Sequence, residues 1–197
     1  MSIGSGPAAE PVRARGRRTR TRILTSAMSL FAREGLASVS VAKIARDAGV
    51  FPHQITYYFG SKDGLFVHAA FASLMREALR LEPLGLRQRT PEMFRSAIAR
   101  AALAMRSVPG AVQAMSISRF RPELHPVAEK HLALFFKRAE SYLETVLEKN
   151  GWTVDRSPGM ETRTFWSAVL GARLISESGY GGTPSDMDLA GTLTVHA

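Results

Sequence analysis

Residues 40–62 read SVAKIARDAGVFPHQITYYFGSK, and the organisation of the chain follows from how this stretch folds. Ser40 is a side-chain N-cap for a short helix whose inward positions are Val41, Ile44 and Ala45. Gly49 stops that helix. Val50 leads into another short helix with Pro52 in its first turn and Ile55 and Phe59 at i, i+4. Ser61 caps the helix that follows. Two short helices joined around a glycine are the layout of a helix-turn-helix. At about 100° per residue, Ile55 and Phe59 facing the core turn His53 and Tyr57 outward. Gln54 lies beside them, with Thr56 and Tyr58 on the flanks. This outward set is hydrogen-bonding and aromatic, and it holds no carboxylate to repel phosphate.

Charge points the same way. The chain has 197 residues and a formal net charge of +9, unevenly spread. Residues 1–62 hold 10 Lys/Arg against 3 Asp/Glu, or +7, and residues 63–197 account for the remaining +2. Residues 1–17 are rich in Gly, Ser, Pro and Ala and carry Arg13, Arg15 and Arg17, so a disordered basic arm is expected there. Arg18, Arg20 and Arg22 extend the charge into a first helix. That helix is expected from Thr19, with Ile23, Ala27, Leu30 and Phe31 inward, to Gly35. A basic arm before a helix-turn-helix implies a polyanionic partner.

Several function classes are excluded. There are no cysteines, so no disulfide framework, thiol nucleophile or thiolate metal site exists. No apolar run approaches the roughly 18 residues of a membrane span, and the first residues lack a secretory apolar core. A cytoplasmic protein with no membrane partner is expected. No phosphate-binding glycine loop, nucleophile elbow or dinucleotide motif is present. The nearest metal-ligand pair, His125 and Glu129, has no evident third ligand. We therefore assign no catalytic residue, metal or cofactor.

After Ser61, helices are expected over about 63–81, from Thr90-Pro91 to the Pro109-Gly110 break, over 111–120, from Pro126 to Asn150, over 159–177, and from Ser185 onward. No strand alternation is evident, so the fold class is all-α with about nine helices. Large apolar residues recur after residue 90, and most are explained by core packing. A cavity among them needs a few polar groups. The candidate ligand-binding set is Met105, Met115, Arg119, Phe120, His125, Phe135, Phe165 and Trp166. Ala168, Gly171, Ala172 and Ile175 mark a helix face suited to close approach of another helix, in a partner subunit or in the same one.

Residues 18–66 resemble the tetracycline-repressor (TetR) family of bacterial transcriptional regulators. The resemblance is carried by Ile44-Ala45, Ala48-Gly49-Val50, Tyr57-Tyr58-Phe59 and Ser61-Lys62-Asp63, with Arg22-Ile23-Leu24, Phe31 and Glu34-Gly35 before them. It implies a three-helix DNA-binding domain over residues 18–62 and a helical effector-binding and dimerisation domain over 63–197. The implied protein is a homodimeric repressor that binds a palindromic double-stranded DNA operator and is released by a small-molecule effector. The fourth helix is the implied mechanical link. Carried over by position, Ser40, Tyr58 and Lys62 are phosphate contacts, and His53, Gln54, Thr56 and Tyr57 fall where base edges are read. The implied dimer interface is the last two long helices, including Ala168, Gly171, Ala172 and Ile175. Phe51, His53 and Thr56 depart from the usual residues, which implies altered base readout. The alternative is a helical small-molecule carrier whose basic arm is incidental.

Overall fold

Side-chain caps set the starts of four helices. The Oγ of Ser40 accepts the backbone N–H of Lys43 at 3.1 Å, and that of Ser61 accepts the N–H of Gly64 at 3.0 Å. Thr90 and Ser157 do the same for the N–H groups of Met93 and Met160, both at 3.3 Å. Each bond satisfies one of the orphan donors at a helix N-terminus.

The structure, a computed structural model, describes residues 12–182 and 187–197. Its elements are α1 (Val12–Ser38), α2 (Val41–Ala48), α3 (Pro52–Phe59), α4 (Lys62–Ala78), α5 (Glu82–Gly85), α6 (Pro91–Leu103) and α7 (Val108–Phe120). They continue with a 3₁₀ turn (Pro122–Leu124), α8 (His125–Asn150), β1 (Thr153–Val154), α9 (Pro158–Glu177), a second 3₁₀ turn (Ala190–Thr192) and β2 (Val195–His196). The chain forms two compact units that divide between Ala69 and Ala70.

In the first unit α1, α2 and α3 close on Ile23, Leu30, Ile44 and Ile55, all nearly fully buried. The start of α4 adds Leu65 and Phe66, the latter edge-to-face with Phe31 at 5.1 Å. In the second unit α8 and α9 pack along each other, and Phe94, Ile98, Leu143, Val146, Phe165 and Val169 fill the core.

Three expectations are corrected. The basic arm is not disordered throughout: α1 begins at Val12, seven residues before the expected start, and residues 1–11 lie outside the described residues. The helix expected from Ser185 is not formed. Residues 183–186 lie outside the described residues, and beyond them Leu189, Leu193 and Val195 are buried in a 3₁₀ turn and a strand. That strand pairs antiparallel with β1, Val154 opposite Val195 and Thr153 opposite His196. Two residues per strand are too few to show alternation. The single-turn α5, absent from the expected set, brings the helices among the described residues to nine.

Glu161 anchors this C-terminal segment. It is fully buried, and its carboxylate accepts Arg156 Nε at 2.7 Å, the Thr194 hydroxyl at 2.7 Å and the Thr194 N–H at 2.9 Å. Arg156 Nη2 donates in turn to the Thr192 carbonyl at 2.9 Å. Burial pushes the Glu161 carboxyl up, but the bonds from Arg156 and Thr194 outweigh it and hold the group below its ordinary value.

Candidate nucleic-acid interface and effector cavity

Helix α3 begins without a side-chain cap, because Phe51 has no acceptor to offer. Gln54 supplies the other half of a capping box: its Oε1 accepts the Phe51 N–H at 3.1 Å. The bond fixes the amide on the first turn of α3 and leaves its NH₂ as the outward donor. Around it Phe51 is 71 % and Tyr57 80 % exposed, and His53 and Thr56 are exposed as well. Phe51 and His53 stack with centroids 5.9 Å apart. Burying an aromatic side chain is worth roughly 1.5–3 kcal/mol, so leaving Phe51 and Tyr57 exposed at α3 forgoes stability within this chain. Helix α3 itself contains no carboxylate.

The other expected phosphate contacts are placed differently from one another. Ser40 is exposed, and capping Lys43 uses its oxygen as acceptor while its O–H remains a donor. Tyr58 is half-buried, edge-to-face with Tyr57 at 5.0 Å, and a Cβ at Gly16 of α1 would lie 3.4 Å from its hydroxyl. Lys62 is also half-buried. Its Nζ donates to the carbonyls of Leu36 at 3.0 Å and Val39 at 3.1 Å, tying the start of α4 to the end of α1.

Two groups stand out among the arginines of the first unit. Arg22 donates to the carbonyls of Ala48 and Gly49 at the C-terminus of α2, and the Arg20 guanidinium lies 4.9 Å from the Phe59 ring centroid. Both serve the fold. Arg13, Arg15 and Arg17 are exposed on the first turns of α1.

The second unit contains a partly open apolar cavity. Of the expected ligand residues it brings together Phe135, Phe165 and Trp166, with Phe94 and Leu143 beside them. Phe135 and Trp166 meet edge-to-face at 4.8 Å. The other expected ligand residues lie elsewhere. Met115, Arg119 and His125 line a separate, open groove between α7 and α8. Phe120 is 78 % exposed at the end of α7, and Met105 is buried away from both sites. Arg121, Pro122 and Glu123 between α7 and α8 are exposed.

Sequence reasoning missed the polar groups of the cavity. Glu82 on α5 and Arg138 on α8 form a bidentate ion pair, Nε to Oε1 at 2.9 Å and Nη2 to Oε2 at 3.1 Å. Tyr142, one turn after Arg138, brings its hydroxyl to 3.5 Å from the Leu81 carbonyl. A Cβ at Gly85 would lie 1.8 Å from that hydroxyl, so residue 85 must be glycine for α5 to sit here. Burial, helped by the Glu82 charge, pushes the Tyr142 phenol well above its ordinary range. The available signal was the spacing Phe135, Arg138, Ala139, Tyr142, which places an arginine and a tyrosine within the apolar stripe of α8.

Along α9, Ala168 and Gly171 are half-buried, and a Cβ built on Gly171 meets nothing within 4 Å. Gly171 is therefore not packed closely against another helix of this chain among the described residues. Ile175 is 42 % exposed and continues the stripe, joined by Leu174 at 49 %. Ala172 departs from the expected face. It is 2 % exposed and points into its own core, because 100° per residue carries it past the edge of the Ala168–Gly171–Ile175 stripe.

Comparison with known proteins places both units. Residues 23–69 match the family model of bacterial regulatory proteins of the tetR family. Residues 91–194 match that of a bacterial transcriptional repressor C-terminal region. A transcriptional regulator from Rhodococcus sp. RHA1 is similar with 27 % identity and a TM-score of 0.71, covering 88 % of this chain and 91 % of that one. RolR, solved with resorcinol, shares the fold at 22 % identity and a TM-score of 0.63, covering 90 % of this chain and 86 % of its own. The multidrug binding protein EbrR, solved with imidazole, shares it at 20 % identity and a TM-score of 0.58, covering 98 % and 96 %. Among curated proteins no sequence matches significantly.

Proposed function

This chain belongs to the TetR family of bacterial regulatory proteins, and we propose that it is a homodimeric repressor, released from a palindromic DNA operator when a small molecule fills the cavity of its second unit. The observation that carries the reading is α3: His53, Thr56 and Tyr57 stand exposed on a helix that Gln54 and Ile55 fix in place, with Phe51 exposed just before it. His53, Gln54, Thr56 and Tyr57 read base edges. Gln54 offers its NH₂ to a purine N7, a guanine O6 or a thymine O4 in the major groove. Ser40 and Tyr58 contact backbone phosphates, Lys62 adds its charge beside them, and Arg13, Arg15 and Arg17 neutralise further phosphates.

Two subunits meet through α8 and α9, with Ala168, Gly171, Leu174 and Ile175 at the contact. Twofold symmetry then sets the two α3 helices in successive major grooves, about 34–36 Å apart. The effector acts by its differential affinity for operator-bound and free forms, and coupling of about 1–3 kcal/mol changes operator affinity roughly 5–150-fold. The ligands seen in RolR and EbrR support a small organic effector. The protein works in the cytoplasm, where its DNA is, and we assign it no catalytic step or cofactor.

Fluorescence anisotropy on genomic promoter fragments, titrated with salt and with competitor DNA, tests this reading. Binding to one fragment that survives excess competitor supports it. Binding lost equally to competitor would make the protein a nonspecific polyanion binder, and no DNA binding would leave a ligand carrier.

A further inference from the structure

The charges around the cavity mouth define what the cavity can take. Resting on the reading of this cavity as the effector site, we propose that the effector is an uncharged aromatic molecule carrying a hydroxyl or carbonyl group, and that Glu82 is the specificity residue that excludes carboxylates. The walls are rings: Phe94, Phe135, Phe165 and Trp166 are each at most 6 % exposed, and the Trp166 ring meets Phe135 at 4.8 Å and Phe165 at 5.4 Å. Planar apolar ligands lose little by leaving water for such walls, whereas a charge loses its hydration.

The formal charges among the lining residues are Glu82 and Arg138, and they are spent on each other through two parallel hydrogen bonds. A ligand carboxylate at the guanidinium would lie beside the like charge of Glu82, which already neutralises Arg138. A ligand ammonium faces the mirror problem at Arg138. The other polar lining groups are neutral. The Thr162 hydroxyl donates to the Pro158 carbonyl at 3.0 Å and is satisfied. The Tyr142 hydroxyl stands 3.5 Å from the Leu81 carbonyl, at the outer limit of a hydrogen bond. It is protonated at every physiological pH, so a neutral oxygen finds a donor there and a charge finds no counter-ion.

Three probes of one shape and different charge test this at pH 7: naphthol, naphthoate and naphthylmethylammonium, followed by tryptophan quenching and calorimetry on the full-length protein. Naphthol is expected to bind at least about tenfold tighter than either ion. In Glu82→Gln, which keeps a hydrogen bond to Arg138 but removes the competing charge, naphthoate should gain about tenfold while naphthol stays within about threefold. Arg138→Gln should favour the ammonium instead, and Ala139→Trp, which fills the cavity, should abolish naphthol binding. Tighter binding of either ion by the native protein would overturn the ligand class and leave the effector site standing. An unchanged naphthoate affinity in a folded Glu82→Gln protein would overturn the role of Glu82. Naphthol binding that survives in Ala139→Trp, or no binding of any probe, would overturn the cavity as a ligand site.

Discussion

Arg22 is bonded to Gly49: its Nη2 donates to the glycine carbonyl at 2.7 Å, while Nε reaches the Ala48 carbonyl at 3.0 Å. Gly49 has φ +61°, and a Cβ there would lie 2.7 Å from Nη2, so the turn before α3 is shaped by this arginine and this glycine together. Arg22→Ala should cost the first unit about 1.5–3 kcal/mol, because it removes charged hydrogen bonds to the C-terminal carbonyls of α2. Operator affinity falls through lost folding. Chemical denaturation measures the first effect. A variant of native stability would return Arg22 to the phosphate contacts.

The exposed arginines should behave in the opposite way. Replacing Arg13, Arg15 and Arg17 together by alanine should leave the circular dichroism unchanged and weaken binding to all DNA sequences. Each phosphate contact contributes about 0.9 to the slope of log affinity against log salt, so the slope should flatten by up to about 2.7. An unchanged slope would remove α1 from the interface.

Gln54→Ala separates base reading from capping. It should weaken binding to the cognate operator by about 1 kcal/mol, the worth of one hydrogen bond from its NH₂, and binding to random DNA far less. The lost bond to Phe51 N–H should lower stability by no more than about 1 kcal/mol. Equal loss on both DNAs would make Gln54 a residue that only shapes α3.

The Glu161 network makes a pH-dependent contribution to the second unit. Its carboxyl titrates below the ordinary value, so its share of stability is complete at neutral pH and is lost as pH falls through the depressed value. Glu161→Gln should cost about 3 kcal/mol at pH 7, since it breaks a buried ion pair whose arginine is one-third exposed. The gap between variant and native protein should narrow as pH falls below the ordinary carboxylate value and through the depressed one. A gap constant across that range would show that Glu161 does not depend on its charge.

Gly171→Trp tests the dimer. A Cβ at Gly171 meets nothing within 4 Å, so a side chain leaves this position without a clash at its root. A folded monomer is expected, with most operator affinity lost along with the effective concentration of the linked second site. Sedimentation decides it: a dimer of native affinity would place the interface elsewhere.

The first unit was legible because its signals are local. Ser40, Gly49, Ser61 and the Ile55–Phe59 spacing act within one turn, and the structure uses each as expected. What escaped reading depends on partners distant in sequence. Lys62 reads as a surface cation until the Leu36 and Val39 carbonyls, 26 and 23 residues away, receive it. The Glu82–Arg138 pair spans 56 residues: the apolar stripe of α8 marks Arg138, but nothing local points to Glu82 as its partner. The C-terminal segment reads as a helix from Ser185. Its buried residues Leu189, Leu193 and Val195 answer instead to packing on α6 and α9 and to the Glu161 anchor. At the other end, local composition argues against helix before Thr19, yet Gly16 leaves room for the Tyr58 hydroxyl and α1 continues back to Val12.

Selection of bound fragments from random DNA by the native protein tests the central claim most directly. The account predicts enrichment of one palindromic sequence with half-site centres about 10–10.5 base pairs or a multiple apart, lost from the Gly171→Trp monomer and altered in sequence by Gln54→Ala. Enrichment of no sequence, or of an asymmetric site indifferent to Gln54, would contradict it.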